Sequence, residues 1–250
     1  MGQVTNEDLQ QIVISVVNSY FPQEKRNALK VADLGCFEGG YTVAFAKNGY
    51  LATGIEVRKE NYEKCLEAKA KSGLENLNFI KDDARNISDK GTFDIVFCSG
   101  LLYHFDKPLE YLWALGKMTR KLLILNTHYA EEVSPLYDMN PLVKKFYKRL
   151  FPSRVKKVDY WLSGLTINEG KKGRWYHEFD EGETLENMEK SRKASMGNTR
   201  SFWLEKKDLS ASIKEAGFPR VYEQFDIIND AKFNAYRVLH DRSIFIGVKE

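Results

Sequence analysis

The sequence has little cysteine and no long apolar run. It contains three cysteines in 250 residues, Cys36, Cys65 and Cys98, without the clustering of a metal site. An odd, scattered set argues against a disulfide framework and predicts a reducing compartment, the cytoplasm. No apolar stretch approaches the roughly 20 residues that cross a bilayer. The amino-terminal residues form neither a signal peptide nor a myristoylation signal, so we expect no membrane span.

The sequence also lacks a strong charge of either sign. Lysine and arginine number 38 against 35 aspartates and glutamates, a net charge of +3. So mild an excess argues against a dedicated nucleic-acid binder and leaves a small-molecule substrate as the expected partner. The length suffices for one large domain or for a domain that carries a substantial insertion. No internal repeat is apparent, and the sequence leaves the oligomeric state open.

The most informative stretch is an apolar run that ends abruptly in glycine. Residues 31–34 predict a buried strand, Gly35 and Gly39 follow, and residues 43–46 supply apolar side chains that suit a helix packed on a sheet. A strand that turns into a helix through glycines brings bare backbone close to a ligand and points a helix amino terminus at it. The stretch therefore predicts a site for a nucleotide-like cofactor.

The glycine spacing separates two cofactor classes. A dinucleotide site requires Gly-x-Gly-x-x-Gly, but the position of the middle glycine holds Phe37, whose bulk blocks the approach of a pyrophosphate. The pattern present, Asp33-x-Gly35-x-x-x-Gly39, resembles the first motif of the class I S-adenosylmethionine-dependent methyltransferases. That family has a small residue where Phe37 stands, so Phe37 is a departure from the pattern.

Three further segments match the family in order. A strand over residues 51–56 ends in Glu56, whose carboxylate can accept both ribose hydroxyls. A strand over residues 78–81 precedes Asp83, which the resemblance implies accepts from the adenine amino group, and residues 93–100 resemble the fourth motif. The alternative is an ordinary doubly wound domain with acidic strand ends. The resemblance implies S-adenosyl-L-methionine as cofactor and these binding residues: Asp33, Gly35, Cys36, Phe37, Glu38, Gly39, Glu56, Val57, Asp83, Ala84, Cys98, Ser99 and Gly100.

Strands and helices alternate as far as a fifth strand at residues 122–126, which predicts an α/β fold with a parallel sheet covered on both faces. A helix at 205–216 and strands at 221–228 and 243–248 follow a long interruption. In the family the last two strands form an antiparallel hairpin, which would complete a doubly wound, mostly parallel seven-stranded sheet. We predict a methyltransferase core of residues 1–127 and 201–250, with a lid helix at 5–20, and an inserted substrate cap of residues 128–200.

Four histidines are candidates for a general base. His128, just past the fifth strand, is the first choice, because an imidazole titrates near neutral pH and can accept a hydroxyl proton. His104 follows the fourth strand and is either catalytic or a helix-start residue fixed by hydrogen bonds. His177 belongs to a cluster of rings and charges that lines a substrate pocket or forms a small cap core. His240 is predicted to be structural.

The same cap cluster and the strand ends supply candidate substrate residues. No metal is expected, because the ends of strands four and five, residues 98–99 and 126–128, supply no acids and the spacing of His128, His177 and Glu178 is not that of a ligand set. The predicted substrate-binding residues are Tyr103, Tyr129, Arg174, Trp175, Tyr176, Glu178 and Trp203.

A basic run covers residues 144–157 and contains no acid. It predicts either an amphipathic helix with a solvated cationic face or a surface for a phosphate backbone, an anionic small substrate or an anionic membrane. The resemblance implies a methyltransferase, and we expect O-methylation of a hydroxyl on a sugar or natural product, with a histidine base. The alternatives are a transfer-RNA methyltransferase that uses the basic run and a non-catalytic cofactor-binding protein.

Overall fold

A computed structural model describes residues 6–131, 140–150, 162–192, 194–224 and 241–249. No helix in this described part of the chain is both long and apolar enough to cross a bilayer. The strands are β1 (Lys30–Leu34), β2 (Leu51–Glu56), β3 (Leu77–Lys81), β4 (Phe93–Ser99), β5 (Thr119–His128), β6 (Thr166–Asn168), β7 (Lys171–His177), β8 (Arg200–Leu204), β9 (Arg220–Glu223) and β10 (Arg242–Val248). The helices are α1 (Asn6–Tyr20), α2 (Gly40–Lys47), α3 (Lys59–Ser72), α4 (Pro108–Met118), α5 (Pro141–Leu150), α6 (Leu185–Lys190) and α7 (Lys206–Glu215).

Seven strands form the main sheet in the order β3-β2-β1-β4-β5-β10-β9. The first five run parallel, whereas β10 is antiparallel to both β5 and β9. The order in which the strands are added to the sheet reverses between β1 and β4, so the carboxyl ends of these two parallel strands border a crevice. The predicted doubly wound, mostly parallel seven-stranded sheet is confirmed. Strand β5 extends beyond the predicted 122–126 at both ends, and residues 225–228 of the predicted penultimate strand lie outside the described residues.

Side chains alternate along the strands into two apolar cores, one on each face of the sheet. One core packs against α4 and α7, as Leu112 and Ile213 show. The other packs against α1 and α2, through Val17 and Phe45. The predicted amino-terminal helix therefore packs on the sheet, and its Gln10 also reaches the crevice.

A second, smaller sheet carries part of the cap. It consists of β6, β7 and β8, all antiparallel, and β8 pairs only with β7 in the part of the chain that the structure describes. The amide of Phe202 in β8 also donates to the carbonyl of Phe105, which joins this sheet to the segment after β4. The predicted boundary at residue 201 would divide β8, and we propose that the cap runs to Leu204 instead.

Candidate functional site

A cavity of about 740 Å³ lies at the carboxyl ends of β1, β2 and β4 and beside the segment that follows β3. Loops after parallel strands, together with the amino terminus of a helix, build the usual ligand crevice of an open α/β sheet. Twelve of the residues predicted to bind cofactor, substrate or proton line it: Gly35, Cys36, Phe37, Glu38, Glu56, Val57, Asp83, Ala84, Ser99, Gly100, Tyr103 and His104.

The loop after β1 is held in a left-handed backbone conformation. Gly35 and Gly39 have φ angles of +65° and +82°, and Phe37 between them has +56°. A Cβ on Gly39 would lie 2.6 Å from the ring of Phe79, so only glycine fits there. Phe37 departs from the family pattern without filling the cavity: its side chain is 38% exposed. The guanidinium of Arg192 lies 4.6 Å from the Phe37 ring centroid.

Glu56 at the end of β2 is a buried acceptor fixed by backbone donors. The amide of Phe37 donates to Oε2 and the amide of Arg58 donates to Oε1, each at 2.9 Å. Asn61 Nδ2 lies 3.5 Å from Oε1. Burial raises the pKa of Glu56, and the two backbone hydrogen bonds oppose that rise. A carboxylate offers about four lone-pair sites, so acceptor capacity remains for ligand hydroxyls.

Asp83, at the adenine position that the resemblance implies, lines the cavity but already has a cationic partner. Arg85 Nη2 donates to Asp83 Oδ2 at 2.6 Å, and Arg85 Nε is 3.0 Å from both carboxylate oxygens. Asp83 also caps the 3₁₀ helix at residues 84–90 by accepting from the Arg85 amide. Any amino group that Asp83 binds therefore shares the carboxylate with Arg85.

Asp33, Gly39 and Cys98 belong to the predicted cofactor set but are not part of the cavity wall. Asp33 is 2% exposed and accepts from Thr42 Oγ1 at 2.6 Å, which ties β1 to the start of α2. Burial raises the pKa of Asp33 to about 7. Burial likewise raises the pKa of the Cys98 thiol to about 12. These residues support the loops from below, where the sequence motif predicted direct contact.

His104 is the histidine that lines the cavity. Its Nδ1 lies 2.7 Å from Oε1 of Glu178, whose side chain is 2% exposed. Glu178 also accepts from Ser201 Oγ at 2.9 Å and from the Ser195 amide at 3.2 Å. Because Glu178 acts as acceptor in these contacts, the same role toward His104 places a proton on Nδ1 and leaves Nε2 with a lone pair.

His128 lies in a different environment, an aromatic stack formed by Tyr103, His128, Tyr176 and Trp203. The Trp203 ring is stacked between His128, at 4.6 Å, and Tyr176, at 5.0 Å, with 14° between the planes in both pairs. Tyr103 packs edge-on against His128 at 4.5 Å. Trp203 Nε1 donates to the carbonyl of Tyr103 at 3.0 Å. Among the described residues, Tyr103 is the member of the stack that also lines the cavity.

The other predicted catalytic and substrate residues lie elsewhere in the cap. His177 is 42% exposed and has Asp180 Oδ1 3.2 Å from its Nε2. Arg174 is fully buried and donates to the carbonyls of Glu131 and Ser163, each at 3.2 Å. Trp175 packs against Phe202 and lies under Arg200, and Tyr129 is buried beneath Lys206. The structure places these four in the cap's own packing rather than on the cavity wall; His240 lies outside the described residues.

A cap segment that crosses the cavity was not predicted from the sequence. It covers residues 191–198, of which residue 193 lies outside the described residues, and we call it the strap. Arg58 Nη2 donates to the carbonyls of Ser191 and Ala194, at 3.0 and 2.9 Å. Arg85 Nη2 donates to the carbonyl of Met196 at 2.7 Å. These contacts join residues more than 100 positions apart, so no local pattern signals them. The strap and its partners add Arg58, Asn61, Arg85, Arg192, Ala194, Ser195 and Met196 to the cavity wall.

The described residues contain no group of three histidine, cysteine or acidic side chains arranged to hold a metal ion. A sheet of this strand order, with a crevice bordered by a glycine loop and by Glu56, defines the fold of the class I methyltransferases. Residues 31–122 match the family model described as "Methyltransferase domain". Over these residues the chain is therefore similar to a methyltransferase domain, in agreement with the resemblance of the sequence motifs.

Individual relatives agree with the family model. The chain is 31% identical over 143 residues to a putative methyltransferase of Geobacillus sp. (strain WCH70), which covers 54% of this chain and 53% of that protein. It is 27% identical over 208 residues to the tRNA U34 carboxymethyltransferase of Helicobacter acinonychis (strain Sheeba), covering 74% and 71%. The chain thus spans about half the length of the Geobacillus relative.

Solved structures show the same fold. The N-terminal domain of EvdMO1, crystallised in the presence of SAH and D-fucose, superposes with a TM-score of 0.64 over 96% of this chain and 84% of that chain. The sequence identity is 19%, so this likeness concerns the fold alone.

Proposed function

We propose that the protein is an S-adenosyl-L-methionine-dependent methyltransferase that methylates a hydroxyl group of a small-molecule acceptor. The methyltransferase-domain match over residues 31–122 supports the cofactor class. The residues of the cavity fit it: a glycine loop leaves room beside the backbone, and Glu56 presents a fixed carboxylate of the kind that accepts ribose hydroxyls. Asp83 lines the cavity beyond Glu56, where the resemblance implies the adenine.

His104 is the general base in this proposal, in preference to the predicted first choice, His128. The observation that carries the proposal is the 2.7 Å contact between His104 Nδ1 and buried Glu178, at a histidine that lines the cavity. A carboxylate on Nδ1 fixes the tautomer and the orientation of the ring, as in other histidine-carboxylate pairs. The ring of His128 is instead stacked on Trp203, which occupies one of its faces.

When bound, S-adenosyl-L-methionine supplies a sulfonium methyl group open to in-line displacement. His104 accepts the acceptor's hydroxyl proton at Nε2, and Glu178 stabilises the imidazolium that results. Tyr103 and the strap segment cover the cavity and keep water from the reacting oxygen. The predicted catalytic residue His177 and the predicted substrate residues Arg174, Trp175, Tyr176, Tyr129 and Trp203 then hold the cap in place, and Tyr103 and Glu178 act at the cavity.

The test is methyl transfer from labelled S-adenosyl-L-methionine to a pool of hydroxylated sugars and phenols, read by mass spectrometry of the products. We expect a mass gain of one methyl group on an oxygen and release of S-adenosylhomocysteine. Tight binding of S-adenosylhomocysteine without transfer to any acceptor would favour the non-catalytic, cofactor-binding alternative. If calorimetry detects binding of neither S-adenosylhomocysteine nor S-adenosyl-L-methionine, the proposal is rejected altogether.

A second candidate, methylation of transfer RNA, is favoured by the match to the Helicobacter tRNA-modifying enzyme and by exposed cations on α5. Lys145 and Arg149 are both exposed there, and the rest of the basic run, from residue 151, lies outside the described residues. Binding to a phosphate backbone would weaken steeply with salt. A gel-shift titration of bulk transfer RNA between low and physiological salt decides: a strongly salt-dependent shift with label transferred to RNA supports this candidate, and no shift at low salt removes it.

A further inference from the structure

Arg192 of the strap reaches the group that we propose binds the cofactor's ribose, although it belongs to the predicted substrate cap. Its Nε and Nη2 donate to Asn61 Oδ1 at 3.2 and 3.1 Å. Asn61 is 1% exposed, and its Nδ2 faces Oε1 of Glu56 at 3.5 Å. The three side chains form a chain of contacts from the cap to the end of β2, and all three line the cavity.

The chemistry of arginine fixes the orientation of the Asn61 amide. A guanidinium has only donors, so the amide atom that faces Arg192 must be the oxygen. The amide nitrogen then points at Glu56 as a donor. Without Arg192 only the longer, 3.5 Å contact with Glu56 sets the orientation of the amide, and a turned-over amide would place its oxygen against the carboxylate oxygen of Glu56. Two acceptors in contact inside a buried site are unfavourable, because neither is then satisfied.

Arg192 also holds the loop that supplies the other neighbour of Glu56. Its Nη2 pairs with the carboxylate of Glu38, and its guanidinium covers the Phe37 ring. The hydrogen bond from Arg192, ahead of that from Lys64, holds the pKa of Glu38 below its usual value. The amide of Phe37, the next residue back, donates to Glu56 Oε2 at 2.9 Å. Arg192 therefore contacts residues on both sides of the Glu56 carboxylate.

We propose that Arg192 is a positioning residue for the cofactor's ribose: it orients Asn61 and the Phe37 loop so that the Glu56 carboxylate stays fixed in place, with its remaining acceptor capacity available to the ribose hydroxyls. The inference rests on the proposed function, because it requires that the cavity hold an adenosyl ligand. If Arg192 has this role, the cap that covers the acceptor side also affects the affinity for the cofactor.

The experiment compares two ligands by calorimetry: S-adenosylhomocysteine, and an analogue of it that lacks both ribose hydroxyls. Arg192→Met removes the donors and keeps an unbranched side chain. We expect this variant to bind S-adenosylhomocysteine about tenfold more weakly. The analogue, which makes no use of the Glu56 acceptors, should lose far less, so that the ratio of the two dissociation constants falls toward one.

Two matched variants separate positioning from general disturbance. Arg192→Lys keeps a donor-only side chain and should recover part of the lost affinity for S-adenosylhomocysteine. Lys64→Met removes the other cation that pairs with Glu38; the ion pairs of Lys64 go to Glu38 and Glu60, and this variant should bind both ligands as the wild type does. Thermal unfolding of each variant checks that the fold is retained.

Wild-type affinity in Arg192→Met, or an equal loss for both ligands, would overturn the inference while leaving the proposed function intact. A wild-type protein that binds neither ligand would instead defeat the proposed function, and the inference with it.

Discussion

The neighbouring strands β4 and β5 end close to two histidines, and the surroundings of these rings differ. Near the end of β4, His104 borders the cavity and has a buried carboxylate on Nδ1. At the end of β5, His128 is stacked on Trp203 and has Tyr103 against its edge. Both rings are partly buried. The difference lies in what surrounds them: a buried carboxylate and the cavity for His104, and packed aromatic rings for His128.

A general base needs both an oriented lone pair and a path for the reacting hydroxyl. The cavity side provides both to His104. The aromatic stack instead buries large ring surfaces, which stabilises the fold and forms the wall behind Tyr103. Substitutions on the cavity side should therefore change turnover, and substitutions in the stack should change stability.

The largest expected effect comes from removing each of the two histidines in turn. His104→Ala should lower turnover about 10²–10⁴-fold, the range expected when a general base is removed, while affinity for S-adenosylhomocysteine changes little. His128→Ala should lower turnover less than about fivefold, because it removes only one ring of a stack. Both are measured as kcat with the acceptor that the transfer assay identifies. The reverse order of effects would show that the cavity as described is not the reacting site.

On the stack side, Trp203→Ala should lower the free energy of unfolding by about 3–5 kcal/mol, because the side chain is 2% exposed and its removal leaves a cavity. Trp113→Ala is the matched control, since that ring is 48% exposed on α4 and should cost well under half as much. Denaturant titration measures both. Equal, small losses would mean that the stack contributes little to stability, and the contrast between the two regions would disappear.

Glu178→Gln tests whether the buried carboxylate acts through His104. Glutamine keeps the shape but is neutral, so even where its amide oxygen accepts from Nδ1 it cannot stabilise the imidazolium that forms when His104 takes up a proton. We expect kcat to fall at least about tenfold, with the affinity for S-adenosylhomocysteine and the Michaelis constant of the acceptor unchanged. Ser201→Ala, which removes another donor to Glu178 and leaves the carboxylate, should cost less. Full turnover in Glu178→Gln would mean that His104 only lines the cavity and is not the general base.

The cofactor side was largely predictable from sequence because its determinants are local. Gly35, Glu56 and Asp83 each lie at the end of a strand or within two residues of it, and strand ends meet at one edge of a parallel sheet. The pairs that complete the site join distant segments: His104 with Glu178, and Asn61 with Arg192. Nothing in the spacing of these residues marks them, because the strap's course depends on the packing of the whole cap. Glu178 was predicted as a substrate residue beside His177, whereas its partner proved to be the histidine after β4.

The smallest expected effect on turnover comes from a second buried carboxylate, Asp33, which lies on the cofactor side but below the cavity. Unlike Glu178, it faces Thr42 rather than a histidine. Burial, with Glu56 as a further unfavourable neighbour, raises its pKa from 3.8 to about 7. Between these two values the folded protein retains a proton that the unfolded chain releases. Stability from this residue is therefore fully present below pH 3.8 and is lost as the pH rises to about 7.

Asp33→Asn removes that proton equilibrium and keeps an acceptor for Thr42 Oγ1. The free energy of unfolding of the wild type, measured relative to the variant by denaturant titration, should fall by up to about 1.4 kcal/mol per pH unit across that window. This difference in the free energy of unfolding should level off above pH 7, where Asp33 is ionised in both the folded and the unfolded protein. Turnover measured at a single pH should change far less than in Glu178→Gln, because Asp33 supports the loop from beneath and has no contact with the reacting groups. Parallel stability curves for the two proteins would show that Asp33 is ionised in the fold, and the buried support of the glycine loop would then be a charged one.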